Sequence, residues 1–285
     1  MKSYLPPILA LLLWPLSAPD AQQAGTSASG TDPAAAFVVS NLEYITLHEL
    51  AHVLIEDLDI PIIGPEESAA DYIATATLIR PDEFSENRAR RAREFLLTTA
   101  NGLATSWEFT LESGQEINYW DSHFLTIQRF YQMVCLIFGS DPETFAALPT
   151  RVGMPEARAS RCPREYARAA SSLRWLTDNF GRKPDDPDGA PVEIVYERPP
   201  TIASAAVLAA IRESRVLENT VARLHERFTI REPFDIALRR CGEQQAAWQP
   251  EKREILVCYE LLDLYYLLGR TQRSLRRREI LEPPN

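Results

Sequence analysis

The amino-acid sequence predicts a mainly helical α+β fold with a small antiparallel sheet or hairpin in its C-terminal half. Long stretches in the first two thirds of the chain repeat apolar residues with the period of an α-helix. Two shorter stretches after residue 190 alternate apolar and polar residues, which is the period of a β-strand. With 285 residues and 45% hydrophobic content, the chain can bury a sizeable core, and we expect a single domain over residues 37–285.

The first predicted helix begins at Thr31 or Asp32 and runs to about Asp59. Either residue can cap a helix whose first turn contains Pro33, and Pro61 ends the pattern. Apolar periodicity predicts further helices over residues 66–79, 86–109, 120–138, 163–180, 202–228 and 261–268. Strands are predicted over residues 192–197, 234–238 and 254–259.

The N-terminus has the pattern of a secretory signal peptide over residues 1–21. Lys2 supplies the positive charge, an apolar run follows over residues 5–16, and small residues allow cleavage near Ala21. The apolar run is too short and too interrupted by proline to remain as a membrane span. Residues 22–36 are rich in Ala, Gly, Ser and Thr and predict a flexible leader. We therefore expect an exported protein, secreted or periplasmic.

The charge of the chain argues against nucleic acid as a partner. Its formal net charge is −10, and removal of residues 1–21 takes away one charge of each sign, Lys2 and Asp20. Binding to a phosphate backbone is typical of basic surfaces. The sequence does not indicate an oligomeric state.

Four cysteines in an exported chain favour two disulfides over free thiols. Three pairings are possible. Cys241 and Cys258 flank a hairpin-like stretch with a turn near residues 249–252, which favours Cys241–Cys258 and leaves Cys135–Cys162. A four-cysteine zinc site is the alternative, but the pairs lack the C-x-x-C spacing of such sites.

The sequence His48-Glu49-Leu50-Ala51-His52 is an H-E-x-x-H (HExxH) motif within a predicted helix. Residues four apart share a helix face, so His48 and His52 can reach one metal ion. Glu49 lies beside that face, where a carboxylate can act as the general base for a water molecule in zinc hydrolysis. The alternative is two unrelated histidines in an apolar core helix.

A catalytic zinc ion needs a third protein ligand. Ile55 and Leu58 stand where the longer metzincin motif requires Gly and His. Downstream, Glu67 and Asp71 have the spacing of the second helix in gluzincins, a resemblance that implies Glu67 as the ligand. It also implies that Asp71 accepts a hydrogen bond from a ligand histidine. Glu66 is the rival ligand, and a first helical turn that is merely acidic is the structural alternative.

His123 follows Asp121 in the sequence Trp120-Asp121-Ser122-His123. A histidine polarised by an aspartate can stabilise the oxyanion of a tetrahedral intermediate, so His123 is a second candidate catalytic residue. Tyr72 and Tyr119 are alternatives for this role. His123 could instead be held at a helix start by local hydrogen bonds.

Further stretches match a bacterial domain-of-unknown-function family of candidate metallopeptidases, which the chain resembles over roughly residues 41–261. They are residues 48–52, Glu66-Glu67, Ala70-Asp71, His123, residues 128–131, Cys135, residues 155–159, Cys162, Glu165-Tyr166, Cys241-Gly242 and residues 258–261. Gln245 departs from the family pattern, which has Asn there. The resemblance implies a zincin-like domain, a bound Zn²⁺ ion and a peptide or protein substrate. We expect Arg129, Arg158 and Glu260 to form structural ion pairs.

Two classes of function follow from these residues. The first is an exported zinc peptidase in which Glu49 activates water, with hydrolysis of another amide, such as one of the cell wall, as a variant. The second is a non-catalytic exported module that contains zinc or binds a peptide. Glu49 favours the enzyme, because a structural zinc ion needs no general base. Little sequence precedes the motif helix, so a strand that aligns a substrate must come from residues 192–197 or from the C-terminal hairpin, or be absent. Its absence would weaken the peptidase interpretation.

Overall fold

The computed structural model describes residues 32–79 and 86–271. The predicted signal peptide, most of the predicted leader and the basic C-terminal end lie outside the described residues. Within the described ranges the chain is mainly helical with one small sheet, so the predicted α+β class is confirmed.

The helices are α1 Pro33–Asp57, α2 Glu66–Ile79, α3 Glu86–Ser113, α4 Thr126–Ser140, α5 Leu148–Arg151, α6 Glu156–Ala159, α7 Cys162–Phe180, α8 Ile202–Ser214, α9 Val216–Arg227 and α10 Tyr259–Thr271. The strands are β1 Val192–Tyr196, β2 Phe234–Arg239, β3 Ala246–Gln249 and β4 Glu254–Cys258.

Helix α1 is the central element of the fold. Its residues are apolar on nearly every side, which is the pattern of a helix that is buried all round, and Leu42, Ala51 and Val53 have no accessible surface. One hydrophobic cluster joins α1 to α8, α9, α10 and the sheet, and a second is built mainly from α2, α3 and α4. Leu47 packs against both clusters, so α1 forms their common wall.

The start of α1 follows the predicted capping pattern. The Asp32 side chain accepts a hydrogen bond from the Ala34 backbone N–H at 3.1 Å, and Pro33 occupies the first helical turn. The helix ends at Asp57, and Asp59 adopts a left-handed conformation with φ 55°. Gly64, with φ 103°, then turns the chain into α2.

The sheet is mixed, whereas the sequence predicted antiparallel pairing. Its strand order is β1-β2-β4-β3, with β1 parallel to β2, β2 parallel to β4, and β3 antiparallel to β4. The connection from β1 to β2 runs through α8 and α9, which is long enough for parallel neighbours. The hairpin is formed by β3 and β4, with a 3₁₀ turn at Pro250–Lys252 where the sequence placed the turn.

Two predicted helices differ most from the observed ones. The stretch over 202–228 is two helices, because Arg215 takes the left-handed conformation with φ 54° and ends α8. Glycine usually fills such a position, so no residue type marks this break in the sequence. Helix α4 begins at Thr126 and not near Trp120. The Asp121 carboxylate accepts a hydrogen bond from the His123 backbone N–H at 2.8 Å, which holds this segment in a turn.

Both predicted disulfides are present, Cys135–Cys162 and Cys241–Cys258. The first joins α4 to α7, and the second joins the segment before β3 to the end of β4. No helix in the described ranges is long and apolar enough to cross a membrane.

Helices α4 and α7 approach each other closely at Gly139. A Cβ atom at this position would lie 2.3 Å from the Cys162 carbonyl oxygen and 3.0 Å from the Tyr166 Cβ. The glycine therefore permits the approach of the two helices beside the Cys135–Cys162 disulfide.

We predict that Gly139→Ala lowers the free energy of unfolding by about 1–3 kcal/mol, because the methyl group would force the two backbones apart. Helix propensity alone predicts the opposite sign, a gain of up to about 1 kcal/mol. Denaturant unfolding of the oxidised protein measures the difference, and a more stable variant would contradict the close approach.

Candidate metal centre

The H-E-x-x-H motif lies in the middle of α1, facing α2. The side chains of His48 and His52 are 4% and 11% exposed, so both are largely withdrawn from solvent. The neighbouring helix α2 presents Glu67 and Asp71 to them, as its four-residue spacing predicts. The motif thus lies inside the fold, where α1 contacts α2.

Three candidate donor atoms converge on one point. His48 Nε2 lies 3.0 Å from Glu67 Oε2, and His52 Nε2 lies 3.3 Å from Glu67 Oε2 and 3.3 Å from His48 Nε2. Ligands of tetrahedral zinc at about 2.0–2.1 Å are separated by about 3.3 Å along each edge. The three atoms are therefore spaced as one face of a tetrahedral site.

The hydrogen bonds behind the two rings fix which nitrogens face this point. His48 Nδ1 lies 2.9 Å from Asp71 Oδ1, and His52 Nδ1 lies 2.6 Å from Glu66 Oε1. A carboxylate accepts, so a ring that is neutral, as a metal ligand must be, carries its proton on Nδ1 and turns the Nε2 lone pair toward Glu67. Two lone pairs and a carboxylate that face one another need a cation, and the set fits a divalent metal ion.

The pKa values of Glu67 and His52 in the protein without metal also indicate that this cluster of side chains favours positive charge. Burial acts to raise the pKa of Glu67, but hydrogen bonds from His123, His48 and His52 outweigh it and hold that pKa far below its ordinary value. Burial acts to lower the pKa of His52, but Glu67 and Glu66 outweigh it and raise that pKa to about 9. Protons on the histidines therefore supply the charge that a metal ion would supply.

Asp71 is held by a network of buried donors. Tyr44 Oη donates to Asp71 Oδ1 at 2.7 Å, and Arg129 donates from Nε to Oδ2 at 2.8 Å and from Nη2 to Oδ1 at 2.7 Å. Burial acts to raise the pKa of Asp71, but His48 and Arg129 outweigh it and hold that pKa well below its ordinary value. Asp71 stays ionised and fixes the orientation of the His48 ring.

The two acidic residues at the start of α2 have different positions. Glu67 reaches both Nε2 atoms, whereas Glu66 contacts His52 at Nδ1, on the other side of the ring. The Glu66 side chain is 46% exposed and that of Glu67 is 19% exposed. The geometry therefore favours Glu67 over Glu66 as a metal ligand.

His123 reaches the same carboxylate from the segment before α4. Its Nε2 lies 2.8 Å from Glu67 Oε2, and its Nδ1 lies 3.0 Å from Asp121 Oδ1. A second donor set, with His123 in place of His52, has ligand atoms within 4.8 Å of one another. His123 is 43% exposed, so it is the more accessible histidine of the cluster.

Glu49 lies beside the donor set and contacts the sheet. Its Oε2 accepts a hydrogen bond from the Trp248 backbone N–H in β3 at 2.7 Å. The Trp248 ring also donates from Nε1 to Glu56 Oε2 at 2.6 Å, two turns further along α1. Strand β3 is thereby fastened to the motif helix at two points.

The chain was compared with models of protein families. A model of the family described as "Putative metallopeptidase" matches residues 17–177 and 196–281. The chain belongs to this family. No curated protein and no solved structure matches the chain. The matched metallopeptidase ranges include α1, α2, His123 and β3, so the whole donor set and both contacts of Trp248 lie within them.

Other residues that the sequence singled out lie elsewhere. Tyr72 Oη donates to Glu165 Oε1 at 3.1 Å, away from the donor set, and Tyr119 is 76% exposed. Arg158 pairs with Glu165 at 2.9 Å, and Glu260 accepts from the Gly242 backbone N–H at 2.9 Å. These contacts fit the structural roles expected for Arg158 and Glu260, whereas Arg129 acts on the site through Asp71.

Sequence reasoning missed Tyr44 and Trp248. Tyr44 had a local signal, because it stands four residues before His48 and so shares its helix face. Trp248 had none, because its contact with Glu49 joins residues 199 positions apart.

Asp71 and Glu66 each hydrogen-bond the outer nitrogen of one histidine, and they provide a matched test. We predict that Asp71→Asn weakens zinc binding by about 10–100-fold, the usual cost of losing a carboxylate behind a metal-binding histidine. Glu66→Gln is expected to weaken it far less, because this carboxylate is half exposed. Competition titration with a chromophoric chelator gives both affinities. A larger loss in Glu66→Gln would mean that Glu66 is the ligand.

Proposed function

We propose that this protein is an exported zinc-dependent peptidase with a gluzincin-like site, in which His48, His52 and Glu67 bind the metal ion and Glu49 is the general base. The observation that carries the proposal is the convergence of three donor atoms within 3.0–3.3 Å beside a glutamate that is not one of them. Membership in a metallopeptidase family supports the same conclusion.

Zinc held by these residues would act as a Lewis acid on a peptide carbonyl and make a water molecule acidic. Glu49 is placed to take the proton from the attacking water and to pass it to the leaving amine. Glu49 is only 7% exposed, and its hydrogen bond from the Trp248 N–H fixes one carboxylate oxygen. A fixed, buried carboxylate beside the donor set is suited to move a proton over a short distance.

His123 supports the reaction from the solvent side of the donor set. Its Nδ1 contact with Asp121 orients the ring, and its Nε2 points at the Glu67 carboxylate. When protonated it can donate a hydrogen bond to negative charge that develops on a substrate oxygen. We assign it this role, in agreement with its greater exposure.

Strand β3 supplies the edge that a peptide substrate needs. It is the last strand of the sheet, and Cys258 N donates to Gln245 O at 3.0 Å, which sets the alternation of the β3–β4 pair. By that alternation Ala247 and Gln249 bond to β4, while Ala246 and Trp248 direct their backbone groups to the open side. The Trp248 N–H on that side reaches Glu49. An extended substrate that pairs with β3 would therefore run beside the general base.

Export rests on the predicted signal peptide and is supported by the disulfides. The described cysteines form two bridges, and such bridges persist in oxidising compartments. A secreted or periplasmic location follows for the mature chain.

We predict that Glu49→Gln keeps the fold and the zinc content but lowers peptide hydrolysis by about 10²–10⁴-fold, because an amide cannot accept the proton. The matched control is Glu56→Gln, which also changes a Trp248 contact on α1 but lies outside the donor set. Activity on a broad peptide library and zinc content are measured for wild type and both variants. If wild type cleaves no peptide, or Glu49→Gln cleaves as well as wild type, the protein is a binding module.

We predict that Ala246→Pro raises KM by about tenfold or more, because proline removes an N–H from the open side of β3. Ala247→Pro, one residue on, instead removes a bond to β4 and is expected to destabilise the hairpin. Steady-state kinetics and thermal unfolding distinguish the two effects. An unchanged KM in a folded Ala246→Pro variant would show that the substrate does not pair with β3.

A further inference from the structure

A groove with a volume of about 1030 Å³ lies between the loop after α1, helix α2 and helix α7. Its floor is apolar and includes Ile60, Ile73 and Leu176. Ile63 is fully exposed at its rim, and the Trp175 side chain is half exposed. We name this feature the arginine groove for the side chains along one of its walls.

The arginine groove is separate from the candidate metal centre. Helix α2 contributes Ala69, Tyr72 and Ile73 to the groove, whereas Glu67 and Asp71 contact the histidines of α1. On an α-helix these two sets of positions point in different directions. A ligand in the groove would therefore leave the donor set uncovered.

One wall of the groove carries Arg161, Arg164 and Arg168, all exposed and spaced so that they share one face of α7. None of the three forms an ion pair with any residue that the structure describes. Glu165, the carboxylate among the lining residues, is already engaged by Arg158 at 2.9 Å and by Tyr72 at 3.1 Å. The three guanidinium groups therefore present unneutralised charge above an apolar floor.

This arrangement does not serve the stability of α7. Arg161 occupies the N-cap position without a capping side-chain hydrogen bond, and Arg164 lies in the first turn, where the helix dipole disfavours cations. Like charges one turn apart repel as well. An anionic partner would neutralise this row of cations.

We propose that the arginine groove binds an acidic, amphipathic polypeptide segment. The helix rise places the backbone positions of Arg161 and Arg168 about 10 Å apart, so the row of arginines is longer than a single carboxylate or phosphate group. Acidic side chains one helical turn apart on a partner match that row, and apolar side chains beside them match the floor. Arginine pairs well with such carboxylates, and the exposed Trp175 is a suitable anchor for an apolar side chain.

The test is fluorescence anisotropy with a labelled amphipathic peptide that carries glutamates one helical turn apart and leucines on the adjacent face. We expect Arg164→Glu combined with Arg168→Glu to weaken binding by about tenfold or more, through repulsion of the glutamates. Arg168→Glu alone should also weaken binding, and its matched control is Arg174→Glu, which makes the same single charge reversal on an exposed part of α7 outside the groove and should bind as wild type does. Ile63→Asp, at a fully exposed position, should also weaken binding.

Two further probes define the partner. The same peptide with glutamines in place of glutamates should bind about tenfold more weakly and with less dependence on salt. Glu49→Gln should bind the acidic peptide as wild type does, because this surface does not depend on the proposed catalytic chemistry. Failure of the acidic peptide to bind, equal binding by the double charge-reversal variant, or binding of phosphatidylglycerol vesicles in place of the peptide would each overturn the proposal.

Discussion

Burial of the Asp71 carboxylate is the constraint on which the candidate site depends. The side chain is 5% exposed, yet it receives hydrogen bonds from Tyr44, from His48 and from Nε and Nη2 of Arg129. A buried charge without such partners is costly, and removing one partner of a buried pair typically costs about 3–5 kcal/mol. The four donors make ionised Asp71 tolerable, and ionised Asp71 in turn fixes the tautomer of His48. The orientation of one metal-ligand candidate therefore rests on residues from α1, α2 and α4 together.

The central position of α1 explains why a polar motif can lie inside this fold. A helix that is apolar on nearly every side must be covered on every side, and the two hydrophobic clusters do this from opposite directions. The motif lies where α1 contacts carboxylates of α2 and not apolar side chains. Because those carboxylates hydrogen-bond the ring nitrogens of His48 and His52, the helix carries a polar patch whose histidines have partners.

The features that sequence predicts well here are local ones. Histidines four apart on α1 and carboxylates four apart on α2 face each other because helix geometry fixes where such residues point. The disulfide pairing followed from a hairpin turn that is also local. The parallel pairing of β2 with β4 and the contact of Glu49 with Trp248 depend on how distant segments meet, and periodicity carries no information about that. The end of α8 at Arg215 could not be predicted for another reason. The residue in the left-handed conformation is an arginine and not the glycine that usually marks such a helix end.

The Cys241–Cys258 disulfide links a local feature, the β3–β4 hairpin, to a contact between distant segments, that of Trp248 with Glu49. It closes the base of the β3–β4 hairpin, and the Glu260 carboxylate accepts the backbone N–H groups of Cys241 and Gly242 at 3.2 and 2.9 Å. The hairpin is therefore fixed at its base by a covalent bond and at its other end by Trp248, which contacts Glu49 and Glu56 on α1. A strand held at both ends keeps the Glu49 carboxylate in one position relative to the donor atoms, and a general base needs that constancy because proton transfer requires hydrogen-bond distances. An oxidising compartment, which preserves the disulfide, thus also preserves the geometry of the proposed catalytic residue.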